Sequence, residues 1–304
     1  MFVNASLNVT RNYTYQNVQG VLLNTGISNP ACPECGPPNR TYDVNGNVSA
    51  MGNWRGFRTR YDSYDLARNL ETRRTEGLAS DNSVIANVTR TISTQWHPDY
   101  RLQTIVAEPF RITAMAYGNP GDPNPGNRGS LLSRTLQATT DADGALGFGA
   151  SASGTPRTWT YTYNANGSVL TMDGPRTDAP DLTTYAYYAN DATCPGANAI
   201  GCRGHIENIT NASGHLTRIT EYNAHGQPLT IVDPNGLTTT LGYDQRQRLT
   251  SRNLGGETTT YTYDNAGQLI RVTLPDASYL QYTYDAAHRL TQIADHLGNR
   301  ITYT

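Results

Sequence analysis

Near its C-terminus the chain repeats itself. Thr260-Tyr-Thr-Tyr-Asp-Asn-Ala-Gly-Gln-Leu269 is followed by Gln281-Tyr-Thr-Tyr-Asp-Ala-Ala-His-Arg-Leu290. Tyr-Asp pairs stand at Tyr243/Asp244, Tyr263/Asp264 and Tyr284/Asp285, a period of 20 and then 21 residues. A fixed period of this size marks a repeat architecture and constrains every local reading that follows. Within one unit, alternating Thr and Tyr suit a strand with Tyr on one face and Thr on the other. The Asp-x-x-Gly step suits a turn, because Asp bonds the backbone that follows and Gly tolerates positive φ. A Leu after the turn starts a return strand. One unit is therefore strand, tight turn, strand.

The same unit can be followed through the whole chain. Its anchors are Tyr15, Tyr42, Tyr64, Trp96, Tyr117, Tyr163, Tyr187, Tyr222, Tyr243, Tyr263 and Tyr284. Turn residues that complete it include Asp43 and Gly46, Asp65, Gly167, Gly226, Asp244, Asp264 and Gly267, and Asp285. In the first copy Gln16 replaces Asp and the Gly comes one place late; in the third, Arg68 takes the Gly position; in the fourth, His97 takes the Asp position. A second turn signal separates units, as at Asp233-Pro-Asn-Gly236, Pro275-Asp276 and Asp295 to Gly298. The pattern predicts about twenty-two short strands. It is degenerate with loop insertions over 1–160, carries an insertion at about 190–203, and is regular over 205–304. Asn119 to Gly126 and Gly144 to Thr155 read as loops, Arg134 to Thr140 as a strand, and Glu71 to Asn87 as the one place for a short helix. The whole is expected to form a single repeat array, and Tyr303-Thr304, which breaks a unit, to belong to a longer protein.

Composition agrees. There are 20 Tyr against 4 Phe and 3 Trp, with 28 Gly and 16 Pro, which favours strands and turns over helices. A formal net charge of -2 gives no electrostatic footprint for nucleic acid or an anionic membrane. No apolar run is long enough to span a bilayer as a helix, and no signal peptide is visible.

Tyr-Asp-x-x-Gly-x-Leu units at this spacing resemble the YD repeats of bacterial Rhs proteins. They are similar to those of wall-associated protein, of the insecticidal toxin complex C subunit and of teneurins. The resemblance implies an all-β fold of repetitive antiparallel hairpins coiling into a long curved sheet, part of an Rhs-type β-shell. It implies a structural, non-catalytic role in a polymorphic toxin: enclosing and delivering a C-terminal effector, by type VI secretion or related export, in bacterial competition. The partners implied are that effector domain and a secretion apparatus; the implied location is secreted or cell surface. A surface adhesin or carbohydrate-binding YD-repeat protein is the alternative. Pro228 to Leu237 resembles the Pro-x-x-x-x-Asp-Pro-x-Gly-Leu pattern that precedes self-cleavage in many Rhs proteins. Further repeats follow it here, so Asp233 reads as an ordinary turn residue.

No catalytic motif stands out, and no cofactor or metal is expected. His97, His205, His215, His225, His288 and His296 form no zinc spacing; His225 and His288 fall in variable turn slots, which are usually solvated. Cys32/Cys35 and Cys194/Cys202 are two local pairs. Half a zinc site, a redox pair, a hairpin disulfide at Cys194–Cys202 and free thiols all remain open. The Tyr ladder has two readings: cross-strand structural pairs, or an exposed stripe for a sugar or partner segment.

Overall fold

The computed structural model describes residues 2–4, 9–27, 39–53, 55–190, 192 and 202–303. These residues hold twenty-five strands and two single-turn 3-10 helices, Pro125–Asn127 and Gly147–Gly149. The chain divides into two compact units, residues 1–169 with 173–176, and residues 170–172 with 177–304.

Unit 1 contains β1 (Phe2–Asn4), β2 (Val9–Arg11), β3 (Tyr13–Val18), β4 (Val21–Ile27), β5 (Arg40–Tyr42), β6 (Val48–Gly52), β7 (Arg58–Asp65), β8 (Leu70–Leu78), β9 (Arg90–Trp96), β10 (Gln103–Glu108), β11 (Arg111–Tyr117), β12 (Leu131–Thr139) and β13 (Ala152–Tyr163). β1 pairs with β2, and β3 with β4. From β5 to β13 each strand pairs antiparallel with the next in sequence. The β3–β4 hairpin has a two-residue turn, Gln19 and Gly20 at φ 52° and 86°, between the partners Val18 and Val21. Two consecutive positive φ values match the twist of the flanking strands, which explains why the first copy departs from the Asp turn.

Glu71 to Asn87 holds no helix. β8 takes up its residues 71–78; along that strand Arg74 pairs with Glu71 and Glu76 at 2.6 Å each, and Glu76 also takes Arg90 of β9 at 2.7 Å. Two other expected boundaries also move. β12 covers the predicted strand at 134–140 and starts earlier, at Leu131. β13 starts inside the expected loop, where Ala152 and Ser153 pair with Thr139 and Ala138. Residues 141–149 lie over the sheet. The buried carboxylate of Asp141 accepts from the N–H groups of Gly144 (3.2 Å) and Leu146 (3.0 Å), and a Cβ on Gly144 would meet the Thr91 carbonyl.

In unit 2 the strands are the central residues of β14 (Val169–Asp173), β15 (Thr183–Tyr187), β16 (Ile206–Thr210), β17 (Leu216–Tyr222), β18 (Pro228–Val232), β19 (Thr238–Tyr243), β20 (Leu249–Leu254), β21 (Glu257–Tyr263), β22 (Leu269–Thr273), β23 (Tyr279–Tyr284), β24 (Leu290–Asp295) and β25 (Arg300–Thr302). Each again pairs antiparallel with its sequence neighbour. In β21, Tyr261 and Tyr263 are half-buried while Thr260 and Thr262 are exposed, as the alternation predicts. The core is thin. Among the described residues the buried hydrophobic ones are Val18, Ala50, Leu70, Leu78, Ile92 and Ala107 in unit 1, and Cys202 and Tyr222 in unit 2. A chain with so little apolar burial must gain cohesion from hydrogen bonds repeated at each unit.

Candidate functional site: the clasp between repeats

At each regular copy the tyrosine strand and its return strand slip register at the anchor. Tyr263 pairs with Leu269 while Thr262 pairs with Arg271, which leaves Ile270 without an opposite residue. The same shift occurs at Tyr42, Tyr243 and Tyr284. A bulge bends the strand and re-aims a side chain. Here it goes with a phenol that reaches back to the preceding repeat. Tyr284 donates to the carbonyl of Leu269 (3.0 Å), Tyr263 to Leu249 (2.9 Å), Tyr243 to Pro228 (3.1 Å) and Tyr222 to Ile206 (2.6 Å). In unit 1, Tyr42 reaches Asn24 (2.8 Å), Tyr64 reaches Val48 (2.6 Å) and Tyr163 reaches Leu131 (2.7 Å). Trp96 makes the same link through its indole N–H to the carbonyl of Glu71 (2.7 Å). In the regular copies the acceptor is the first residue of the preceding return strand.

Burial makes four of these phenols harder to ionise. Burial first, and then the nearby Glu71 carboxylate, push Tyr64 up to about 12. Burial and the neighbouring Tyr188 push Tyr222 up to about 12. Burial also raises Tyr163 and Tyr243.

The turn after each anchor is a second fixed structure. One carboxylate oxygen of Asp43 accepts the N–H groups of Asn45 (2.8 Å) and Asn47 (2.9 Å). Asp244 does so with Arg246 and Arg248, Asp285 with Ala287 and Arg289, Asp233 with Asn235 and Leu237, and Asp295 with Leu297 and Asn299. Asn164 and Asn223 serve equally well. Asp264 accepts from Gln268, and Asp65 from Ala67. Three residues after the acid the backbone turns left-handed, at Gly46 (84°), Gly167 (85°), Gly226 (79°) and Gly267 (95°). At Gly226 a Cβ would also strike the His205 ring, which stacks on Tyr222 at 4.8 Å. Non-glycine residues hold the same slot at Gln247 (64°) and His288 (64°). In the third copy the left-handed residue is Asn69 (52°), so Arg68 does not take the glycine's part. Arg68 instead donates to the carbonyls of His97 and Pro98 in the next turn.

Neighbouring turns are stitched in the same sense elsewhere. The Gln227 amide donates to the Gln247 carbonyl (2.9 Å), and Gln268 donates to that of His288 (3.1 Å). Hydrogen bonds from the turn hold several of these acids below the ordinary carboxylate range: the Arg248 guanidinium foremost for Asp244, the Arg289 N–H for Asp285 and the Asn299 amide for Asp295.

His97 sits in the Asp slot, as its alignment suggests, and it performs the Asp's task. Its Nδ1 lies 3.1 Å from the N–H nitrogen of Asp99 and 3.3 Å from that of Tyr100, and Leu102 closes the turn onto the His97 N–H. It is buried, at 5% exposure, which a solvated turn slot does not predict. His225 and His288 are exposed. Tyr117 departs from the pattern: it donates to the Met115 sulfur, beside the long loop that follows it. Tyr188, next to the anchor Tyr187, donates to the Ile219 carbonyl (3.0 Å). Tyr15 is 57% exposed. Cys202 is fully buried and disulfide-bonded, packed with Tyr222, Tyr188 and Ile219. Cys32, Cys35 and Cys194 lie outside the described residues.

What the tyrosine hydroxyls bond was not legible in single motifs. Its signal is the offset of 14 to 16 residues between each regular anchor and the start of the preceding return strand. Among the described residues no group of three or more His, Cys, Asp or Glu side chains could hold a metal ion. A cavity of about 630 Å³ in unit 1 is bordered by Ser63, Asp65, Arg73, Ser93, Trp96 and Phe148, and the Asp65 carboxylate there is held by Arg68 at 2.7 Å.

The RHS Repeat family model matches residues 222–255, 253–279 and 263–300, the stretch where clasp and turn are most regular. Residues 222–300 carry RHS repeats. The chain's fold is also found in crystal structures of TcdB2-TccC3. The form without the hypervariable C-terminal region superposes with a TM-score of 0.55 at 15% identity, over 93% of this chain and 16% of that one. TcdB2-TccC3-TEV gives 0.55 at 14% identity, over 96% and 16%. The chain thus spans about a sixth of the length of those proteins. No curated protein matches it. The family match covers 222–300, and the superposition extends the shared fold over 93% of the chain.

Proposed function

We propose that this chain is a non-catalytic wall segment of an Rhs-type β-shell, a single repeat array that helps enclose and deliver a C-terminal effector. The observation that carries the reading is the clasp. Each regular repeat is tied to the one before it by an anchor phenol and to the one after it by its turn, so every unit is built to have neighbours on both sides. An array with this much hydrogen bonding and so little core suits a wall, which resists by cross-linking. The partners of such a wall are the effector it encloses and an export apparatus, and its place is outside the producing cell. The half-buried, bonded tyrosines favour a structural ladder over a sugar-binding stripe.

Limited proteolysis of the protein made from its complete gene tests this. Sequence C-terminal to the repeats should resist proteinase K while the wall is intact, and become sensitive once the wall is denatured. Equal digestion rates for that sequence alone and within the intact protein would end the shell reading. A chain that cuts itself near Leu237 would end the reading of Asp233 as a turn residue.

A further inference from the structure

Five arginines of unit 1 face an acid: Arg60 with Asp62, Arg68 with Asp65, Arg74 with Glu71 and Glu76, Arg90 with Glu76, and Arg111 with Glu108. Arg134 and Arg157 are among those that make no such pair. Strands β11, β12 and β13 contain no Asp or Glu at all. Both guanidinium groups instead lie by one indole, with Arg134 Cζ 5.9 Å and Arg157 Cζ 5.5 Å from the Trp159 ring centre. Register puts them on one face of the sheet. Met115 stands opposite Arg134, Arg134 opposite Trp159, and Leu136 opposite Arg157. Arg134 and Arg157 are exposed, while Met115, Leu136 and Trp159 are half-buried.

We propose that this face of β11–β13 is a docking surface for an acidic peptide segment that also carries apolar side chains. Charge complementarity names the occupant. Two cations without a carboxylate partner call for anions, and no acid of their own strands competes for them. Guanidinium groups offer planar paired donors that fit carboxylates. The apolar part of the patch separates a peptide from other polyanions, because Met115, Leu136 and the Trp159 rim match Leu or Phe side chains and offer nothing to a sulfate or phosphate chain. Trp and Arg are also the residues that most often dominate protein interfaces. The backbone of β12 is paired on both sides, so recognition here runs through side chains and not through strand addition. The proposal does not depend on the shell reading.

The test uses the 304-residue chain and a fluorescein-labelled peptide of alternating Glu and Leu, read by anisotropy. Saturable binding is expected, weakening as salt rises. R134Q/R157Q should bind at least tenfold more weakly, and R134K/R157K, which keeps the charge and loses the planar fork, should fall between it and the unaltered chain. A Gln-Leu peptide should also bind at least tenfold more weakly. Unchanged binding by R134Q/R157Q, equal binding of the Gln-Leu peptide, or no binding of the Glu-Leu peptide each overturns the proposal. So does binding of single-stranded DNA or dextran sulfate at this face with greater affinity than the peptide. Should R134Q/R157Q fail to fold, salt dependence and the Gln-Leu peptide decide on the unaltered chain.

Discussion

Tyr222→Phe removes one oxygen and little else. The side chain is 5% exposed and its hydroxyl donates to the Ile206 carbonyl at 2.6 Å. The ring stays packed against His205 and beside Cys202, so no cavity opens. What is lost is the bond between two repeats, and a carbonyl acceptor loses its side-chain partner in a region that water reaches poorly. Removing one partner of a buried hydrogen bond costs about 1–3 kcal/mol. At about 3 °C per kcal/mol, suited to a domain of this size, the melting temperature of unit 2 should fall by about 3–9 °C. The control is Tyr282→Phe. Tyr282 is a half-buried tyrosine of the same ladder, two residues before the anchor Tyr284, and its hydroxyl has no protein partner among the described residues. It should shift stability by less than about 0.5 kcal/mol. Thermal and urea unfolding followed by circular dichroism give both numbers. Equal losses for Tyr222→Phe and Tyr282→Phe would falsify the claim that the anchor hydroxyls hold repeats together.

Further predictions concern the turns and the titrating groups. Ala277, at φ 65°, occupies a left-handed slot, so Ala277→Gly should stabilise by about 1 kcal/mol, whereas Gly267→Ala at φ 95° should destabilise by at least as much; a reversed order in urea unfolding would count against the turn assignment. His97→Asp should keep the turn, since a carboxylate accepts the same two N–H groups, while His97→Ala should cost about 1–3 kcal/mol more, measured by the same unfolding curves. The turn carboxylates titrate low when folded, so their contribution is present above the ordinary carboxylate range and is lost as pH falls through the folded values; melting temperature should hold from neutral pH to about 5 and drop below about 4. The raised phenols act in the opposite window: their stabilisation is full below about pH 10 and lost towards 12, and absorbance at high pH should show Tyr64 and Tyr222 ionising last. Mapping by mass spectrometry should find Cys202 joined to Cys194, and Cys202→Ser should cost about 2–4 kcal/mol.

Much of this protein is written in local chemistry. Alternating Thr and Tyr set the strand faces, and Asp or Asn with Gly three residues later set the turn, because those steps involve a few consecutive residues. Even His97 in the Asp slot could be read from its place in the repeat. Local chemistry also misleads where long-range pairing competes. The charges of Glu71 to Glu76 suit a helix, but β8 has strands on both sides, with Arg74 paired along the strand and Glu76 also reaching Arg90 across it. Arg68 fills the glycine position in sequence, yet the chain turns at Asn69, which frees Arg68 to reach the next turn. The sequence by itself determined the repeating hairpin and its period. Tertiary structure decided where each phenol ends up, because the bulge at the anchor and the carbonyl 14 to 16 residues earlier come together only when consecutive hairpins pack side by side.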